Sequence, residues 1–193
     1  MKEPIPYDDA VDLLEADHKA VKKMFMGYAA LCEDSAPAPA KRLLAQRICQ
    51  ALTVHSQIEE EIFYPQVRQV IGENALMDEA LQQHAEAKKI IAQIEAMKET
   101  DSGQDAAVKQ LGVLIDGHVL EEREQIFLQA RAAALDLRSM TLPLLKRQQQ
   151  LKANARTVVA KETASKHLFI TDRATFLSMK CRTRKLSVPP MYW

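Results

Sequence analysis

Four of the five histidines in this 193-residue chain fall at positions 18, 55, 84 and 118, and two of them are followed four residues later by a glutamate: His55 by Glu59, His118 by Glu122. Four residues advance an α-helix by about 400°, so each pair stands on one face, one turn apart. Imidazole nitrogen and carboxylate oxygen are donors that suit iron, manganese or zinc. The candidate metal ligands are therefore His18, His55, Glu59, His84, His118 and Glu122. The fifth histidine, His167, sits in a basic C-terminal stretch and is expected to take no part.

Four amphipathic segments position the six. The first runs from about Asp8 to Glu33, with Val11, Leu14, His18, Val21, Phe25 and Tyr28 spaced by threes and fours. It stops at DSAPAPA, where Pro37 and Pro39 forbid continuation. The second runs from about Ala40 to Val70, through Leu44, Ile48, Leu52, His55, Glu59, Ile62 and Phe63, with Pro65 as a kink or end. The third runs from about Asn74 to Glu99, with Met77, Leu81, His84, Ile91 and Ile94 on one face. The fourth runs from about Asp105 to Leu137, through Leu111, Leu114, His118, Glu122 and Ile126. Short loops between long helices favour antiparallel neighbours. The expected fold is all-α, an antiparallel up-down-up-down four-helix bundle over residues 1–145. A C-terminal extension follows at 146–193, with a fifth short helix starting near Pro143.

A single histidine on an apolar face is commonly a hydrogen-bonded core residue. Six such groups in one bundle interior are another matter, because an unpaired buried carboxylate costs several kcal/mol even after relaxation. Buried Arg or Lys is scarce on the facing stripes, and only Lys88 is placed to reach the carboxylates. Cations would satisfy all six groups together, and paired inward-facing Glu and His residues are how helix bundles build two-metal sites. Glu60, Glu61 and Glu124 read as solvated. Glu121 competes with Glu122 for the inward position. The spacing of the first pair and the line from Ile115 through His118 to Ile126 favour Glu122.

The composition agrees with a helical domain: glycine is scarce, at 5 residues, and Ala, Leu, Glu, Gln and Lys are abundant. The net charge of zero hides an asymmetry. Residues 1–137 carry 14 Lys/Arg against 24 Asp/Glu, and residues 138–193 carry 12 against 2. The basic extension is expected to be an appendage. Contact with nucleic acid or a membrane surface through it is the lesser reading, since it lacks regular basic and aromatic interleaving. No segment reads as membrane-spanning or as a secretory signal. Three cysteines without a CxxC pair point to a reducing cytoplasm.

The order His18, His55 with Glu59, His84, His118 with Glu122, on successive helices, resembles the hemerythrin-like (HHE cation-binding) family. HSQIEEEIFYPQV and HVLEEREQIFLQAR are similar to its two signature stretches, and the resemblance extends from about Tyr7 to Leu145. It implies two non-haem, oxygen-bridged iron ions, with Glu59 and Glu122 bridging and the four histidines as terminal ligands. It also implies a small diatomic or peroxide ligand. The chain departs from the oxygen-carrier pattern at Lys88, where carriers have another histidine one turn after the third-helix one. That leaves about two open coordination positions of about twelve rather than one. Tyr28 and Tyr64 are candidates for an added ring near the metals. The expected function is binding or sensing of dioxygen, nitric oxide or iron. The alternatives are a peroxidase-like, oxidase-like or iron-centre-repair enzyme, and a metal-free helical interaction protein.

Overall fold

The computed structural model describes residues 6–72, 75–98, 102–133 and 135–155. The chain divides into two units, residues 1–151 and 152–193. The helical bundle belongs to the first. The basic stretch beyond residue 155, with His167 and Cys181, lies outside the described residues, as do the nucleic-acid and membrane contacts expected of it.

Every regular element among the described residues is helical. Helix α1 (Ala10–Glu33) starts where the Asp9 side chain accepts a hydrogen bond from Asp12 N at 3.1 Å, satisfying an otherwise free first-turn donor. Helix α2 (Ala38–Ile58) opens with Pro39 in its first turn, where a missing N–H costs nothing. A π-helical turn, Glu59–Phe63, joins it to α3 (Tyr64–Ile71). Helix α4 spans Ala75–Ala96 and α5 Gln104–Glu121; a second π turn, Glu122–Ile126, leads into α6 (Phe127–Ala132). The last helix among the described residues, α7, occupies residues 137–155. Helix α1 packs on α2 and α5, and α4 packs on the same two, so four helices close a ring.

Of the two readings of Pro65, the end does not hold: the second segment runs on to Ile71, because the π turn just before Pro65 shifts the hydrogen-bond pattern around the missing N–H. Three expectations about elements change. The fourth segment stops at Ala132 rather than Leu137, which instead opens α7. The fifth helix begins at residue 137 rather than near Pro143, because the Asp136 carboxylate caps it by accepting from Ser139 N at 3.1 Å. Leu81 falls at the edge of its stripe, 38 % exposed, while Ala80 and Ala87 share the buried face with His84.

The core is two apolar clusters. One gathers Leu13, Leu14, Ile58, Phe63, Val67, Met77, Ile126, Phe127, Met140 and Leu144. The other gathers Val21, Ile48, Leu52, Ile91, Ile94, Val108, Leu111 and Ile115. On α1, α2 and α4, and along α5 with the π turn after it, the candidate histidine falls between members of the two clusters, so a polar layer crosses the bundle between two apolar blocks. Leu144 of α7 is fully buried. Leu144→Ala should cost about 2–5 kcal/mol in urea unfolding, the usual range for a leucine removed from a packed core. An effect below about 1 kcal/mol would place α7 outside the cooperative fold.

Cys32 and Cys49 are free thiols. Burial, with help from Glu95, pushes the Cys49 thiol up to about 12, so it packs as an apolar group and stays protonated. None of the described helices is long and apolar enough to cross a membrane.

Candidate metal centre

All six candidate residues meet in the polar layer. Glu59 and Glu122 have no exposed surface, and His18, His55, His84 and His118 are buried. His18 Nε2 lies 2.8 Å from His55 Nε2 and 3.2 Å from Glu122 Oε2. His84 Nε2 lies 3.1 Å from His118 Nε2. Glu59 stands between the two histidine pairs: Oε1 is 3.1 Å from His55 Nε2 and Oε2 is 3.4 Å from His84 Nε2. Glu122 Oε2 is also 3.5 Å from His118 Nε2. Two donor groups result, His18–His55–Glu59–Glu122 and Glu59–His84–His118, the atoms of each lying within 4.8 Å of one another.

The atoms converge without satisfying one another. Both oxygens of Glu59, Oε2 of Glu122, and Nδ1 of His18 and His55 are buried and make no hydrogen bond. A cation about 2.1 Å from each ligand holds neighbouring donors about 3 Å apart at right angles. The observed separations match that spacing, so the donor set fits a metal by chemistry and by distance. Protons can partly serve the same end. Burial opposes the charge on His55, but Glu59 and Asp17 beside it hold its imidazole well above the usual value. Burial would raise the Glu59 carboxyl, yet His55 and His84 hold it well below the usual range. His118 is pushed down, first by burial and then by His84, with Glu122 opposing.

The π turns tune the layer. In a continuous α-helix the fifth residue after a glutamate points about 140° away from it. Each π turn pairs that fifth residue's N–H with the glutamate carbonyl and brings it round: Tyr64 N to Glu59 O, Phe127 N to Glu122 O. The Tyr64 ring stacks on His84 at 5.5 Å and the Phe127 ring on His18 at 5.9 Å. Tyr64 also donates its hydroxyl to Glu122 Oε1 at 2.7 Å. Burial, then Glu122 and Glu59, push its phenol well above the usual value, so it is a proton-bearing donor. Tyr28 is elsewhere, donating to Asp105 at 2.7 Å.

A ring of polar partners orients the imidazoles. His84 Nδ1 donates to Glu60 Oε1 at 2.9 Å, and His118 Nδ1 to Gln83 Oε1 at 2.7 Å. Both bonds leave Nε2 aimed inward with a free lone pair. Asp17 Oδ2 lies 3.5 Å from His55 Nδ1. Glu60 is thus not the solvated residue expected from its place in the acidic run. Lys88 does not reach the central carboxylates, because Glu60 holds its ammonium at 2.7 Å from both oxygens on the outside. Glu121, at the rim, accepts from Gln83 at 2.7 Å. Asp17, Glu60 and Gln83 escaped sequence reasoning. The available signal was adjacency, since each is the chain neighbour of one candidate ligand and serves the histidine of another helix.

A cavity of about 20 Å³ touches all four histidines and is lined mainly by Val21, Leu52, Ala87, Ile91 and Ile115, with Ser56 and Lys88 at its wall. It has room for roughly one water-sized molecule.

The sequence model of the hemerythrin HHE cation-binding domain matches residues 9–130, all six residues included. The chain belongs to that family. The hemerythrin-like fold is also found in the crystal structure of a hemerythrin HHE cation-binding domain-containing protein from Mycobacterium kansasii. That likeness has a TM-score of 0.64 at 16 % identity, covering 77 % of this chain and 90 % of the other. A curated relative, described as a DNA nickase of Nostoc sp., is 29 % identical over 116 residues, which are 60 % of this chain. This hemerythrin-like chain therefore spans about a third of that relative's length, 32 %.

Proposed function

We propose that this protein holds two iron ions in the polar layer and binds or senses dioxygen, nitric oxide or iron itself. The observation that carries the reading is Glu59: a fully buried carboxylate with no hydrogen bond, one oxygen beside each histidine pair. Such a group is placed to join two cations, with Glu122 as the second link. His18 and His55 would complete one site, and His84 and His118 the other. Manganese or zinc would suit the same donors. When bound, a ferrous pair supplies electrons and open coordination to a small ligand.

The chain's own residues set what that ligand can be. With both glutamates shared, each group would hold four donors, two histidines and two carboxylates, which leaves positions for a ligand beside the cavity that touches all four histidines. The cavity has room for a diatomic molecule. Its wall is mostly apolar, and Lys88, which also lines it, is held by Glu60. Metal analysis of aerobically purified protein should give about two iron ions per chain, with charge-transfer absorption that shifts when azide or nitric oxide is added. Protein that holds no metal and whose stability ignores chelators would overturn the proposal and favour a metal-free interaction role.

One observation favours the enzymatic alternative. The Tyr64 hydroxyl, 3.4 Å from His84 Nε2, keeps a proton beside the His84–His118 group, as reduction of a peroxide would require. Rapid metal-dependent consumption of peroxide or nitric oxide would select that reading over binding alone.

A further inference from the structure

Helix α7 lies beyond the residues matched by the family, which end at 130, yet Met140 and Leu144 pack in the cluster that borders the polar layer. It also sends in a polar group. Gln148 is 7 % exposed, and its Nε2 donates to Asp17 Oδ2 at 2.5 Å. That same oxygen is the one 3.5 Å from His55 Nδ1, a buried nitrogen with no hydrogen bond. The outer partners of His84 and His118, Glu60 and Gln83, are tied to Lys88 and Glu121 inside the matched region. Asp17 alone is tied to a residue outside it. Its side chain is 22 % exposed and, without the amide, is free to swing into water.

We propose that Gln148 is a positioning residue for the metal centre, fixing His55 through Asp17 from a helix beyond the residues that the family model matches. Being neutral, the amide leaves the full negative charge of Asp17 available to the His55 ring N–H, which a lysine at 148 would cancel. An anchored carboxylate behind a ligating imidazole fixes its tautomer and raises its basicity, and losing such a partner typically costs about 10–100-fold in metal affinity. Gln148 thereby bears on the His18–His55 group and not on the His84–His118 group.

The inference rests on the two-metal reading, and the full-length protein loaded anaerobically with cobalt(II) separates the two. Wild type should bind two cobalt ions and show metal-shifted, exchangeable ring N–H resonances. Gln148→Leu keeps the volume and removes the donor. It should speed release of one cobalt to a chelator by about tenfold or more, with faster solvent exchange of one ring N–H, and leave the second cobalt unchanged. In an Asp17→Ala background the same substitution should add nothing. Gln148→Glu, similar in shape but without a donor when ionised, should repeat the result and serves if the leucine variant does not fold. Release at the wild-type rate, equal acceleration of both metals, or an undiminished effect in the Asp17→Ala background each overturns the inference while leaving the two-metal reading intact. A wild type that binds no cobalt overturns both.

Discussion

Glu59→Ala should leave the protein without either metal ion, a larger loss than any single histidine substitution produces. Its two oxygens address different histidine pairs, so removing it takes a donor from both sites and the negative charge that lets two cations sit close together. A histidine substitution such as His118→Ala takes one donor from one group and should leave the other metal in place. Glu122→Ala should behave like Glu59→Ala, because Glu122 Oε2 faces His18 and His118. Glu121→Ala should retain both ions, since Glu121 reaches only Gln83 at the rim. Metal content per chain by elemental analysis, with circular dichroism to verify folding, decides the matter. Full iron in Glu59→Ala would remove the bridging role. Full iron in Glu122→Ala with loss in Glu121→Ala would mean that α5 and the π turn after it present a different face to the metals.

Stripping the metals should lower the melting temperature more than most point substitutions do. Ligands that bind only the folded chain stabilise it by about 4 kcal/mol each when free ligand exceeds Kd a thousandfold. For a domain of this size each kcal/mol is worth roughly 2–4 °C. Two tightly held ions should therefore raise the melting temperature by roughly 15–30 °C over chelated protein. The buried oxygens of Glu59 and Glu122 and the facing imidazoles are the groups left uncompensated on removal. Calorimetry of metal-loaded and dialysed protein measures the difference. A shift of only a degree or two would mean that protons shared among the histidines and carboxylates satisfy the layer almost as well as cations do.

The spacing of the residues carried the helices and the choice of inward faces. Periods of three and four, prolines at 37 and 39 and the twice-used His-to-Glu interval of four are local properties, and local geometry converts them directly into one stripe per helix. That is why six residues scattered over more than a hundred positions could be nominated together, and why Glu122 could be preferred to Glu121. Other features depend on contacts between elements. The π turns break the α-helical phase after Glu59 and Glu122, so Tyr64 and Phe127 arrive against His84 and His18 from positions that a regular helix would turn away. Glu60 and Lys88 pair with each other outside the layer, a choice between water and neighbour that one-dimensional charge counting does not make. Gln148 stands 131 residues from Asp17, and its role follows only from where α7 packs. The sequence by itself determined that the six candidate ligands face inward, because up to Glu59 and Glu122 the helical phase is set within each segment. The tertiary structure decided which inward groups touch and which outer groups hold them, because those distances are fixed by packing between segments.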